Sequence, residues 1–215
     1  MNITEKILAR ASGKNSVAPD DVVFAKVDKV MMHDVSGPGV IKVFDKLNNQ
    51  GIDTSQLYDA SKVWVAEDHF VPTAEKISAE NITKLSEFTK KYGIKKHFKY
   101  GMGQYGICHT LSHEEALVSP GEVYVGGDSH TNTTGALGAF ACGLGHTDVA
   151  YVLLNGEIWF KVPETLYFKL NGKLSEHVMA KDLILKIIGD IGTDGGAYNA
   201  MQFGGSGIDE MSIES

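Results

Sequence analysis

Apolar residues along the chain fall into two patterns, short continuous runs and longer stretches at helical spacing. The helical spacing predicts helices over residues 3–11, 40–47, 79–92, 107–117, 134–143, 147–156 and 180–191. The apolar runs predict strands over residues 22–30, 63–66, 123–125 and 159–170, the last interrupted at Val162-Pro163. Strands that alternate with helices in this way indicate an α/β fold.

The length of 215 residues allows one large domain or one and a half. We expect a three-layer α/β/α domain over residues 1–163 and the start of a second α/β domain over residues 164–215. From Gly192 onward, pairs of glycines punctuate a segment that has no predicted element. We therefore expect the chain to be truncated before the second domain is finished.

Charge and composition exclude several classes of protein. The chain has 20 Lys and Arg against 27 Asp and Glu, and a net charge of −7 gives no electrostatic support for nucleic-acid binding. No apolar run approaches the ~20 residues of a membrane span, and the N-terminus lacks the apolar run of a signal peptide. Two cysteines do not make a disulfide framework, so we expect a cytoplasmic protein with reduced thiols.

Acid–histidine groups follow two of the predicted strands. Asp68-His69 follows residues 63–66, and Asp128-Ser129-His130 follows residues 123–125. Open α/β sheets bind ligands at this end of their strands, and an aspartate beside a histidine suits the imidazole to acid–base work on a hydroxyl. Neighbouring residues on a strand point in opposite directions, so each histidine is expected to pair with an aspartate from another loop. Either group alone could be structural, for example as a helix N-cap, but two together favour an active site.

Two other motifs admit more ordinary readings. Residues 101–106 match G-x-G-x-x-G, but no good buried strand precedes them, so a flexible loop that presents His109 is favoured over a dinucleotide site. His109 and His113 have the i, i+4 spacing that could chelate zinc together with Glu114. A third ligand would have to come from elsewhere, so a solvated helix face is favoured.

The two cysteines cannot hold an iron–sulfur cluster by themselves, because a cluster needs about three or four thiolates. Cys142 is expected to pack in a helix of small residues. Cys108 adjoins His109 and is expected to pack near the site.

The segments that carry the chemistry occur in an order found in a known family. They are Met32-His33-Asp34, Glu67-Asp68-His69, Gly106–His109 and Asp128–Thr131, the last within Gly-Asp-Ser-His-Thr-Asn-Thr-Thr-Gly-Ala-Leu-Gly-Ala. These four motifs resemble the active-site loops of the aconitase superfamily. Within it they are most similar to the subfamily of 3-isopropylmalate dehydratase large subunits, with the homoaconitase large subunits second. The resemblance extends over nearly the whole chain.

The resemblance implies a [4Fe–4S] hydro-lyase that isomerises 2-isopropylmalate to 3-isopropylmalate in leucine synthesis. An iron of the cluster is the Lewis acid in such enzymes. By resemblance, His69 with Asp68 protonates the leaving hydroxyl, His109 and Asp128 form a pair beside the iron-bound water, and His130 supports the site.

The resemblance also implies ligands and partners. His33 and Ser129 would contact a carboxylate of a small hydroxy di- or tricarboxylic acid. The family's cluster cysteines lie beyond the matched part, so we expect no metal ligand, no bound cluster and no catalysis by this chain alone. The implied partners are a small subunit and the missing C-terminal part of the large subunit. The alternatives are a homoaconitase or another aconitase-type hydratase and, in another class, a non-catalytic binding or assembly module.

Overall fold

A computed structural model describes residues 1–212, and its centre is a five-stranded parallel sheet with the strand order β4-β3-β2-β5-β6. The strands are β2 (Lys29–His33), β3 (Val63–Ala66), β4 (Lys96–Phe98), β5 (Val123–Gly126) and β6 (Phe140–Gly143). The order reverses at β2, because β3 and β4 lie on one side of it and β5 and β6 on the other. Such a reversal opens a crevice at the carboxyl ends of the strands.

Helices cover both faces of this sheet. They are α1 (Ile3–Ser12), α2 (Ser36–Asn49), α3 (Lys76–Lys91), α4 (Cys108–Glu114) and α5 (His146–Asn155). Alternate strand residues point to opposite faces, so Val65 joins a core with α1, α2, α3 and α5, while Trp64 joins a second core with α4. The expected three-layer α/β/α architecture is confirmed.

Local chemistry sets the ends of two of these helices. The Asn2 side chain accepts a hydrogen bond from Glu5 N, and the Glu5 carboxylate accepts one from Asn2 N, so a capping box begins α1. Gly13 ends it with a φ of 68°. After α3, Gly93 has a φ of 69°, a left-handed conformation that glycine adopts at no steric cost.

Two smaller sheets complete the described chain. In the first, β1 (Val22–Lys26) pairs antiparallel with β7 (Glu157–Lys161). In the second, β8 (Glu164–Lys169) pairs parallel with β9 (Asn199–Gly204), and α6 (Ala180–Ile191) lies between them in sequence. The prediction of no element after Gly192 is therefore wrong. Strand β9 forms there because its backbone groups find hydrogen-bond partners on β8.

Two predicted strands are each two strands that belong to different sheets. Residues 22–30 divide at Val27-Asp28, where the Asp28 carboxylate accepts a hydrogen bond from Val123 N. Residues 159–170 divide at Val162-Pro163, since proline has no N–H to donate to a ladder.

The helix predicted over 134–143 is also wrong. A 3₁₀ helix covers Thr131–Leu137, and β6 follows it. The backbone of β6 lies close to the backbone of Asp128, and a side chain at Gly143 would collide with the carbonyl oxygen of Asp128. Small residues are required there for that reason. Cys142 consequently lies half-buried on a strand and not in a helix.

Helix α2 begins four residues earlier than the predicted 40–47. Pro38 lies in its first turn, where the missing N–H costs nothing. A side chain at Gly37 would collide with Leu85 of α3, and one at Gly39 would collide with His146 of α5. The close packing of α2 on these helices therefore explains both glycines.

The boundary between residues 1–163 and 164–215 stays a prediction, and residues 213–215 lie outside the described part. No helix among the described residues is long and apolar enough to cross a membrane.

Candidate active site

The crevice at the strand reversal collects the polar residues that the sequence singled out. His33 ends β2, Asp68 and His69 follow β3, and Asp128 follows β5. His109 reaches the same place from the first turn of α4. The polar residues expected at the carboxyl ends of the strands therefore form one cluster of side chains.

Asp128 is the centre of this cluster. Its Oδ1 lies 3.0 Å from His109 Nε2 and accepts a hydrogen bond of 2.7 Å from the backbone N–H of His130. Its Oδ2 lies 3.3 Å from His33 Nε2 and 3.9 Å from His69 Nε2. Burial alone would raise the pKa of Asp128, but these donors outweigh it, and the pKa lies below its ordinary value. Asp128 is thus an ionised acceptor for donors from the end of β2, from α4 and from its own loop.

His33 has only one proton arrangement that satisfies its neighbours. Its Nδ1 accepts hydrogen bonds from the backbone N–H groups of Val35 (3.1 Å) and Ser36 (3.2 Å). The ring proton therefore sits on Nε2 and is donated to Asp128. Burial, followed by the nearby His69 ring, lowers the pKa of His33, which keeps the ring neutral.

His69 stands on the open side of the cluster. Its ring stacks on His33 with centroids 4.1 Å apart, and its Nδ1 lies 2.8 Å from Asp68 Oδ1. The expectation that His69 and His130 each pair with an aspartate from another loop is wrong, because His69 pairs with Asp68 and the His130 ring lies 3.4 Å from Asp128 of its own loop. Strand β3 ends at Ala66 and β5 at Gly126, so the alternation of side chains along a strand does not extend to these residues.

Asp68 also fixes the position of α4. Its Oδ2 accepts a hydrogen bond of 2.6 Å from Cys108 N, the first residue of the helix that carries His109. Burial opposes ionisation of Asp68, but this bond and the contact with His69 prevail and lower its pKa. One carboxylate therefore orients His69 and ties it to the helix of His109.

Asp34 is a residue of the site to which sequence reasoning gave no role. Its carboxylate is fully buried and accepts hydrogen bonds from His69 N (3.1 Å) and Phe70 N (2.6 Å). It therefore shapes the turn that carries His69. The sequence held one signal, an acid directly after a strand.

We expect Asp34→Ala to lower the free energy of unfolding by about 3 kcal/mol, since two backbone N–H groups lose a buried carboxylate acceptor. Urea unfolding measures this loss. Asp45→Ala on the exposed face of α2 is the control and is expected to stay within about 0.5 kcal/mol of the parent. Equal stabilities of the two variants would contradict the role given to Asp34.

Acid is expected to destabilise the chain through three carboxylates of lowered pKa, Glu67, Asp68 and Asp128. A group with a depressed folded pKa adds stability above its ordinary value, 3.8 for Asp and 4.5 for Glu, and that stability disappears as pH falls through the folded pKa. Each unit of depression corresponds to about 1.4 kcal/mol. Urea unfolding from pH 6 to pH 3 measures the slope, and Asp68→Asn is expected to flatten it. An unchanged slope in that variant would contradict the assignment.

Ser129, His130 and His113 lie at the edge of the cluster. Ser129 is exposed, and the His130 side chain is 78% exposed with Nδ1 at 3.4 Å from Asp128 Oδ1. His113 turns back along α4, where its Nδ1 lies 2.7 Å from the carbonyl oxygen of His109. His113 thus belongs to the helix and not to the cluster around Asp128.

Two groups of donors are close enough together to hold a metal ion; they are His33, Asp34, Asp68 and His69, and His109, Asp128 and His130. Their hydrogen bonds oppose that use. Asp34 and His33 Nδ1 are taken by backbone amides, and metal binding at His109 Nε2 would move its proton to Nδ1, which is buried without a hydrogen-bond partner in the described structure. That this chain supplies no metal ligand stays a prediction.

The two cysteines do not fit an iron–sulfur cluster. Clusters are held by about three or four thiolates. Cys142 donates its thiol hydrogen to Gly143 O at 3.5 Å, and burial and the charge of Asp68 raise the pKa of the Cys108 thiol. Both thiols are thus held protonated by their surroundings.

Proteins similar to this chain identify its family. The profile of the Aconitase family (aconitate hydratase) matches residues 5–215. The 3-isopropylmalate dehydratase large subunit of Thermodesulfovibrio yellowstonii is 47% identical over 211 residues, which cover 98% of this chain and 48% of that protein. The protein of the same name from Aquifex aeolicus is 47% identical over 214 residues, which cover 100% and 48%.

A probable 3-isopropylmalate dehydratase large subunit from Methanothermobacter thermautotrophicus is 45% identical over 213 residues, which cover 99% of this chain and 49% of that protein. The chain thus spans about half the length of the curated relatives it matches. The family profile covers nearly all of it and includes every loop of the site. The resemblance expected from the four motifs is confirmed, and the chain belongs to the aconitase family.

Proposed function

We propose that the chain is the N-terminal half of the large subunit of a hydro-lyase that isomerises 2-isopropylmalate to 3-isopropylmalate. The observation that carries this proposal is the convergence of His33, His69 and His109 on Asp128. Relatives at 45–47% identity have the name of that enzyme, which supports the choice of substrate. The isomerisation is a loss of water followed by its return at the neighbouring carbon.

His69 is the proposed acid that protonates the leaving hydroxyl. Its Nδ1 faces the Asp68 carboxylate, so Nδ1 carries a proton and Nε2 is the atom that exchanges one with the substrate. The His69 side chain is 38% exposed, which gives the substrate access to Nε2. Hydroxide is a poor leaving group, and protonation at this atom lets it depart as water.

His109 and Asp128 are the proposed pair that holds the departing and returning water. The bond of 3.0 Å between His109 Nε2 and Asp128 Oδ1 leaves the other carboxylate oxygen available to His33. His130, mostly exposed, supports the pair from the solvent side.

A contact with a substrate carboxylate is proposed for Ser129, and an indirect contribution to substrate binding is proposed for His33. Ser129 is exposed beside Asp128, so its hydroxyl is free to turn toward a bound acid. His33 is 2% exposed and already donates to Asp128, so its contribution to substrate binding passes through the orientation of that carboxylate. The ligand is a small hydroxy di- or tricarboxylic acid.

Membership of the aconitase family implies an iron–sulfur cluster in the complete enzymes. Such a cluster supplies Lewis acidity toward the hydroxyl and a carboxylate of the substrate. We propose that its ligands come from the C-terminal part of the large subunit, that a small subunit completes the site, and that the assembly works in the cytoplasm. This chain alone is expected to bind no iron and to turn over no substrate.

The test is co-expression of the chain with the C-terminal half of the Aquifex aeolicus relative and its small subunit, followed by anaerobic reconstitution with iron and sulfide. Turnover of 2-isopropylmalate supports the proposal. Turnover of homocitrate alone supports the homoaconitase alternative. Assembly of all three chains with no turnover of either acid supports a binding or assembly module.

A further inference from the structure

A buried contact between a carboxyl group and an imidazole lies beside the site but outside the cluster around Asp128. Glu67 Oε1 is 2.9 Å from His97 Nε2, and each side chain is 6% exposed. His97 lies on β4, and Glu67 lies between the end of β3 and Asp68. Even a buried ion pair contributes little net stability against a well-packed apolar alternative, so this contact calls for a role of another kind.

The orientation of the His97 ring is fixed from α3. Thr89 donates its hydroxyl hydrogen to Ser86 O at 2.9 Å, and the same oxygen lies 3.0 Å from His97 Nδ1. Thr89 therefore accepts a hydrogen bond from Nδ1, and the opposite nitrogen, Nε2, lies 2.9 Å from Glu67 Oε1 at an angle outside hydrogen-bond geometry. Helix α3 thus holds the His97 ring beside the Glu67 carboxylate.

Glu67 and Asp68 bind opposite ends of one glycine-rich loop, residues 100–107. Glu67 Oε2 accepts a hydrogen bond of 3.2 Å from Tyr100 N, where the loop begins. Asp68 Oδ2 accepts one of 2.6 Å from Cys108 N, where the loop ends and the helix of His109 begins. Three glycines give the loop wide conformational freedom, so its two attachments decide where it places that helix.

We propose that Glu67 and His97 are positioning residues that anchor the start of the loop and so hold His109 against Asp128. Without the Glu67 carboxylate, Asp68 is the one carboxylate after β3 that accepts a hydrogen bond from an end of the loop within residues 1–212, and Asp68 must at the same time orient His69. The consequence for catalysis rests on the proposed function. The consequence for the loop does not.

The test compares Glu67→Ala, Glu67→Gln and Glu122→Ala in the full chain. Glu122 is the matched control, because its carboxylate also accepts a hydrogen bond from a backbone amide, Ser119 N at 2.7 Å, away from the site. Amide hydrogen exchange and the imidazole nitrogen signals of His109 are measured by NMR. Exchange over residues 100–108 is expected to accelerate at least tenfold in Glu67→Ala and less in Glu67→Gln, which keeps one acceptor oxygen. The imidazole signals of His109 are expected to shift in Glu67→Ala. Glu122→Ala is expected to leave the loop exchange and the His109 signals unchanged.

Faster exchange spread evenly over β2, β3 and β5, or an unchanged loop, would overturn the proposal. If Glu67→Ala does not fold, the comparison of Glu67→Gln with the parent decides in the same way. In the reconstituted enzyme, kcat is expected to fall at least tenfold in Glu67→Ala with KM within about twofold, because the loop orients a catalytic group. Altered loop exchange in an assembly with no turnover would contradict the proposed function and leave the positioning role standing.

Discussion

Replacing Asp128 with asparagine is expected to lower kcat of the reconstituted enzyme about 10³-fold. The carboxylate accepts from His109, His33 and the His130 backbone at once, whereas an amide has one acceptor oxygen and turns two N–H donors toward the imidazoles. The His109 proton then has no ionised partner. A loss of this size is within the ~10²–10⁴ that a positioned acid or base contributes.

The measurement is turnover of 2-isopropylmalate at saturating substrate, with Asp45→Asn on the exposed face of α2 as the control. Far-UV circular dichroism and the unfolding midpoint of the chain establish that the variant is folded. A folded Asp128→Asn enzyme with a kcat within threefold of the parent would show that the histidine cluster does not carry the reaction.

The elements that the sequence located best are those whose pattern depends on local chemistry alone. The strand over 63–66 and the helix over 180–191 have the boundaries that periodicity predicted. Residues 22–30 and 159–170 were misread because a continuous apolar run does not reveal which sheet each half joins. The two-stranded sheet of β1 and β7 exists only through pairing between segments about 135 residues apart.

The prediction of a helix over 134–143 failed for a related reason. Small residues are compatible with close helix packing and with a strand that approaches a neighbouring backbone. Contact between Gly143 and Asp128 O selects the strand, and that contact is created by the fold.

The candidate site was predictable in its parts but not in its connections. Asp68, His69 and Asp128 were recognisable because acids and imidazoles follow apolar strands, and His109 because its motif resembles a loop of the family. Asp34 and Glu67 lie within the recognised motifs but had no role of their own, because only the fold buries them against backbone amides. The proton arrangement of His33 likewise depends on two amides of the next turn.

Replacing His69 with asparagine is expected to lower kcat about 10²–10³-fold while KM changes little, because the group acts on the leaving hydroxyl in the transition state. Asparagine retains a polar contact with Asp68 but cannot deliver a proton. The same substitution at His177, whose side chain is 89% exposed, is the control and is expected to leave kcat unchanged.

The pH profile separates a proton donor from a residue that only fills space. If His69 is the acid, the parent has an alkaline limb in its pH profile of activity, and His69→Asn loses that limb. A variant that keeps the alkaline limb with its full amplitude would assign the proton to another group. His109 would be the next to test, because it is joined to Asp128 and its Nδ1 has no hydrogen-bond partner among residues 1–212. A loss of the limb together with a low kcat would place the leaving-group proton on His69 Nε2, the atom that the contact between Nδ1 and Asp68 leaves free.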